Sequence, residues 1–172
     1  MKQTIFKLID KCLEKPTGLN IMALNRILQI GIPFNAPHGF SIKHITNDEV
    51  LISLPNRKLN HNHLGGVHAC SMATVGEYTA GMALLSSFGI SKYRLILSEL
   101  HCDFVWQGRT DLEGVCDRNA IDVPTVDAAL KSEGIYVQPL ETIIREVKTG
   151  KEVARVKTKW QLKRWEKVKT KI

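Results

Sequence analysis

The feature that most restricts what this chain can fold into is the run 67–88, in which Glu77 is the only carboxylate or cation. Apolar and small residues recur there on every side with no polar stripe, so the pattern predicts a helix enclosed nearly all round. Its Ala, Gly and Ser residues let other backbone approach closely, and Gly89 predicts its end. A carboxylate in such a helix is costly unless something compensates it. Glu77 is therefore the first candidate functional residue. The polar loop before it, Asn62-His63-Leu64-Gly65-Gly66, supplies candidate partners. It also leads to the backbone N–H groups of residues 67–70, at a helix N-terminus that favours negative charge.

The rest of the chain reads as elements around that helix. Helical stretches are predicted over 3–14 and 19–30, separated by Pro16-Thr17-Gly18. A hairpin follows, 40–46 with 49–54, across the turn-like Asn47-Asp48. After the helix a long strand is predicted over 93–106, a turn at Gln107-Gly108-Arg109 and a return strand over 112–121. Residues 123–132 read as a short helix or loop insertion, and 135–147 with 152–162 as a final hairpin. Arg155, Lys157 and Lys159 alternate with Ala154, Val156, Thr158 and Trp160, so that strand has one basic face. One enclosed helix, a hairpin before it and four antiparallel strands after it predict an α+β protein. The expected organisation is a single domain: a helical extension over 1–35, a core over 36–165 and a basic tail over 166–172.

At 172 residues, with 44% hydrophobic and 24% charged, the chain suits a soluble globular protein. No apolar run reaches the roughly 18–20 residues of a membrane span. Residues 1–13 interleave Lys, Asp and Glu with Ile5, Phe6, Leu8 and Ile9, which reads as an amphipathic helix and not a signal peptide. Cys12, Cys70, Cys102 and Cys116 are scattered, which predicts reduced thiols and a cytoplasmic location. His61, His63, His68 and Cys70 fit no strong zinc spacing, so no metal is expected. The net charge of +7 is uneven: residues 1–144 hold 13 Lys/Arg against 14 Asp/Glu, and residues 145–172 hold 11 against 3. A solvated strand face with a ragged tail explains that end most simply. A patch for phosphates or nucleic acid is the sharper alternative.

The spacing Asn62, Leu64-Gly65, His68, Ala73-Thr74 and Glu77, followed by Met82-Ala83-Leu84, resembles the hotdog-fold acyl-CoA thioesterase superfamily. The likeness is to the phenylacetate-pathway type and the thioesterase superfamily member 2 type, over about residues 36–165. Where those carry His-Gly-Gly and a helix Asp, this chain has His68-Ala69-Cys70 and Glu77. A less characterised branch, with Asn-x-x-Gly before a helix bearing Glu-x-x-x-Gly, is closer; here that pair is Glu77 and Gly81. The resemblance implies a sheet wrapped around the central helix, a homodimer or dimer of dimers, and a coenzyme A thioester as substrate with no further cofactor.

For hydrolysis, the implied roles are Glu77 as general base or nucleophile, Asn62 orienting thioester or water, and His68 bonding the thioester end. Gly65, Gly66, Ala69 and Cys70 would border the substrate. His68 and Glu77 are separated by about 14 Å of helix rise and about 180° of rotation, so they cannot share a compact site within one chain. They can meet across a two-fold axis, His68 from one subunit facing Glu77 from the other. Two alternatives remain: non-catalytic acyl-CoA binding, and a hotdog hydratase using His63 with Glu77, whose usual Pro-Gly motif is missing here.

Overall fold

The computed structural model describes residues 2–168. Two helices open the chain, α1 (Lys2–Glu14) and α2 (Gly18–Gly31), and Thr17 caps the second by accepting from the Asn20 N–H. The hairpin β1 (Ser41–Ile45) and β2 (Glu49–Leu54) follows, then the central helix α3 (Ala69–Phe88). The remainder is β3 (Tyr93–Phe104), β4 (Leu112–Asp117), α4 (Val123–Ser132), β5 (Ile135–Glu146) and β6 (Glu152–Arg164). Among the described residues the six strands form one sheet in the order β1-β2-β4-β5-β6-β3. Every pairing is antiparallel.

Two-residue periodicity decides which face meets the helix. Across the sheet Ile52 pairs with Gly114, Gly114 with Ile144, and Ile144 with Ala154, one inward-facing row. Ile52, Ile144 and Ala154 in that row are fully buried. Helix α3 packs against β2, β3, β4, β5 and β6, so it buries Met72, Val75, Met82 and Leu84 on different sides. Each such side chain contributes about 1.5–3 kcal/mol. The sheet comes close at Gly76, whose carbonyl accepts from Thr142 Oγ1 at 3.0 Å. A Cβ there would lie 2.5 Å from the Val156 side chain. The enclosed helix and the antiparallel sheet are thus as expected.

The N-terminal helices are tied to the core. Asn25 on α2 donates to Ile42 O at 3.0 Å and accepts from Ile42 N at 2.8 Å, serving as a partner for the edge strand β1. Asp10 on α1 accepts from the N–H groups of Ile90 at 2.7 Å and Ser91 at 3.1 Å, just after α3 ends.

Three elements begin or end two or more residues short of expectation, each for a tertiary reason. Val67 is extended, not helical, because its N–H donates to Gly108 O at 2.8 Å and it bridges His61. Strand β3 stops at Phe104, where the N–H groups of Val105 and Trp106 both turn to Val153 O. Strand β4 stops at Asp117, whose carboxylate accepts from Asn119 N at 2.8 Å and starts a short 3₁₀ turn.

The basic face of β6 is not free. Arg155 pairs with Glu141 and Glu152 at 2.9 Å each, Lys157 with Asp103 at 3.0 Å, and Lys159 with Glu99 at 2.9 Å. These acids come from β3, β5 and β6 itself, so the strand presents a mixed surface where a polyanion site needs an excess of cations. Of the expected basic tail, residues 169–172 lie outside the described residues. On β3, Leu100 and Phe104 face inward opposite buried Thr158 and Ala154, yet they remain 46% and 47% exposed. The inner face of the sheet therefore stays uncovered at this edge.

Candidate active site

The loop before α3 is held by its own hydrogen bonds. Asn60 is fully buried, and its side-chain amide donates to His38 O at 2.9 Å and Pro55 O at 2.8 Å. Its Oδ1 lies 2.9 Å from His38 Nδ1, and its carbonyl accepts from His68 N at 2.7 Å. Asn62 Oδ1 accepts from Leu64 N at 2.9 Å and Gly66 N at 3.1 Å, so this side chain builds an Asx turn. Gly65 completes the turn with φ of 74° in open space. Gly66 is buried where a Cβ would meet Gln107 at 2.8 Å and Gly108 O at 3.1 Å. His63 is exposed.

His68 is the N-cap of α3, with Nδ1 accepting from Cys70 N at 3.0 Å. That bond places the proton of the neutral ring on Nε2, which is left to donate outward from an exposed side chain. The N–H groups of residues 67–70 are largely spent: Val67 donates to Gly108, His68 to Asn60 and Cys70 to His68. Ala69, the first residue of α3, is the one of the four whose N–H has no partner among the described residues. A single donor therefore stands at the positive end of the helix dipole.

Glu77 lies two turns further along α3. Cys70, Thr74, Glu77 and Gly81 follow one another at helical spacing on one stripe. Cys70, Thr74, Glu77 and Tyr78 line a groove of about 450 Å³ together with Ile32, Phe34 and Leu100. A second cavity of about 420 Å³ shares Ile32, Glu77 and Tyr78 and continues past Gly81 and Leu85 to Trp160. The Glu77 carboxylate is half-buried at this junction, and burial pushes its pKa from the ordinary 4.5 up to about 7. Neither a hydrogen bond nor an opposing charge offsets that burial among the described residues. The neighbouring Tyr78 phenol is also raised, first by burial and then by the Glu77 charge. A larger open groove of about 810 Å³ lies over Glu99, Glu141, Lys157 and Lys159. Its charged groups already have partners: Lys159 pairs with Glu99, Glu141 with Arg155, and Lys157 and His101 with Asp103.

Within one chain, then, Cys70 and Glu77 share a groove, while Asn62, Gly65, Gly66 and His68 belong to the loop at the other end. Among the described residues no three His, Cys, Asp or Glu side chains converge as metal ligands. Among the described residues, no helix is long and apolar enough to cross a membrane. Asn60 was not singled out from sequence, because a lone Asn in a polar loop carries no signal of its burial. Ile32 and Phe34 were missed because their groove forms only when the end of α2 packs beside α3.

Residues 22–162 match the family described as a domain of unknown function, DUF4442, and the chain belongs to that family. No curated protein sequence matches it. Among solved structures it is similar to a Pseudomonas aeruginosa protein of unknown function, described as a probable thioesterase. The TM-score is 0.74 at 22% identity, over 83% of this chain and 95% of that one. A Chlorobaculum tepidum protein of unknown function has a TM-score of 0.73 at 12% identity, over 83% and 93%. A mutant thioesterase from Pseudomonas aeruginosa has 0.69 at 14%, over 84% and 94%. At these identities the likeness is one of fold: a hotdog fold, the sheet wrapped around α3 with additional N-terminal helices.

Proposed function

We propose that the protein is an acyl-CoA thioesterase in which Glu77 is the general base, acting in composite sites of a homodimer. The observation that carries this reading is Glu77 itself: a carboxylate left without a partner, held near pKa 7 by burial, at the wall of an apolar groove. A base that titrates near neutral pH is well matched to activating water. The fold shared with thioesterases supports the same chemistry.

In this mechanism Glu77 removes a proton from water, and the water oxygen attacks the thioester carbon. The developing oxyanion accepts from the unpartnered Ala69 N–H at the start of the other subunit's α3, where the helix dipole adds to the bond. The outward Nε2–H of His68 donates beside it. Collapse breaks the C–S bond, and the proton held by Glu77 goes to the leaving thiolate. The products are a carboxylic acid and coenzyme A. Asn62 acts by holding the loop that carries His68, and Cys70 borders the substrate groove.

Distance supports the dimer. About 14 Å of helix separates His68 from Glu77, and two antiparallel α3 helices bring the unlike ends together. The uncovered Leu100 and Phe104 on the inner face of β3 are suited to burial against a second copy. Turnover across a panel of acyl-CoAs, with Glu77→Gln beside the parent, tests the reading. Loss of hydrolysis with retained acyl-CoA binding is expected. Unchanged hydrolysis removes Glu77 from the mechanism, and binding by a parent that never turns over makes the protein a carrier.

A further inference from the structure

We infer that Phe6 and Trp165 close the far end of an acyl-chain cavity that starts at Glu77, and thereby set the chain length the protein accepts. This rests on the reading of Glu77 as the group that meets the thioester. The 420 Å³ cavity runs along α3 from Glu77 past Gly81 to Leu85, about 12 Å of helix. Its walls are mostly apolar; the charged groups among them are Glu77 at one end and Arg94 on the edge strand, beside the phenols of Tyr78 and Tyr93. A polar head at Glu77 with an unbranched apolar tail fits this shape, and the run suits a medium-length acyl chain.

The closure is built from both ends of the chain. The rings of Phe6 and Trp165 stack at 6.2 Å between centroids and 23° between planes. Trp165 is fixed by its Nε1–H donating to Ile90 O at 2.9 Å and its backbone N–H reaching Lys92 O at 3.3 Å. Asp10, one turn beyond Phe6 on α1, accepts from Ile90 N and Ser91 N. Trp165 directly, and Phe6 through Asp10 on its helix, are thus tied to the same turn, residues 90–92. Neither ring belongs to the family-matched span of 22–162, so this closure is added to the shared core. A side chain on a surface helix stacked on a side chain of the C-terminal segment encloses apolar space that the core alone leaves open.

The test uses the full chain and two independent readouts. Hydrolysis is followed over butanoyl- to hexadecanoyl-CoA, and the matching free fatty acids are titrated as competitors of bound cis-parinaric acid. Affinity is expected to rise about fourfold per added methylene until the cavity is full and then flatten. Phe6→Ala and Trp165→Ala should move that break to longer chains, and Leu85→Phe should move it to shorter ones. A break that stays in place in folded Phe6→Ala and Trp165→Ala overturns the inference. Should those two fail to fold, an unmoved break in Leu85→Phe overturns it. Chain-length-dependent displacement without turnover keeps the cavity and rejects the thioesterase reading; turnover with no break at any length rejects the closure alone.

Discussion

The two ends of the proposed site are built in opposite ways. In the loop before α3, nearly every polar group is used: Asn60 and Asn62 side chains, and the N–H groups of Val67, His68 and Cys70, all have partners. At Glu77 the carboxylate has none, and its burial is uncompensated. A satisfied buried network rigidifies, whereas an unsatisfied group is a standing cost to the fold. The loop is therefore where stability resides, and Glu77 is where stability is given up. Substitutions should separate the two: loop changes destabilise, and removal of the Glu77 charge stabilises while it silences.

The largest effect is expected from Glu77→Gln. Loss of a general base lowers turnover by about 10²–10⁴-fold, while melting at pH 8 should rise because no charge remains to bury. A fall in both turnover and melting temperature would place Glu77 among the structural groups and erase the contrast. Next comes Ala69→Pro, which tests the single exception inside the loop. Ala69 is the first helical residue, where Pro is well tolerated. His68 before it is extended, with φ −66° and ψ 139°, the conformation a following Pro requires. The substitution thus removes one unpartnered N–H and little else. Turnover should fall about 10²–10³-fold, the weight of one oxyanion donor, with melting unchanged. Unchanged turnover would move the oxyanion site elsewhere.

The contrast also explains what was legible before the structure. The enclosed helix was visible because a run without a polar stripe has few other solutions, and the sheet because inward residues alternate. Glu77 stood out for the same reason, since a lone charge in apolar surroundings is visible in one dimension. The loop was not readable in this way. Asn62 suggested a group for substrate, but its Oδ1 is taken by Leu64 and Gly66, and Asn60 gave no sign of its burial. The ion pairs on the basic face of β6 were hidden for a related reason. Most of its acids sit far away in sequence, Asp103 being 54 residues from Lys157, and register brings them together only in the folded sheet.

A smaller effect, and of the opposite kind, is expected from Asn60→Ala. It deletes the amide that holds His38 O and Pro55 O, leaving those carbonyls and His38 Nδ1 without this partner. Stability should drop by about 3 kcal/mol in denaturant titration. Because His68 N bonds the Asn60 backbone and not its side chain, turnover of the remaining folded protein should change less than in Ala69→Pro. A stable but inactive Asn60→Ala would mean the loop serves chemistry more than the fold.

The smallest effect is a pH dependence, and its sign sharpens the comparison. The folded state holds the Glu77 proton up to about pH 7, against 4.5 ordinarily. Between those values the native state binds more protons than the unfolded chain, so stability falls as pH rises. This contribution is fully present below pH 4.5 and is lost as pH passes 7. The displacement corresponds to about 3 kcal/mol at full weight, and water entering the open groove reduces it to about 2 kcal/mol. Denaturant midpoints for the parent and Glu77→Gln should therefore converge near pH 5 and separate by pH 8, with Glu77→Gln the more stable. Hydrolysis should rise across the same interval as the carboxylate ionises, so that activity increases where stability declines. Parallel pH profiles for the two proteins would show that Glu77 is compensated in solution, and the asymmetry between loop and helix would then lose its physical basis.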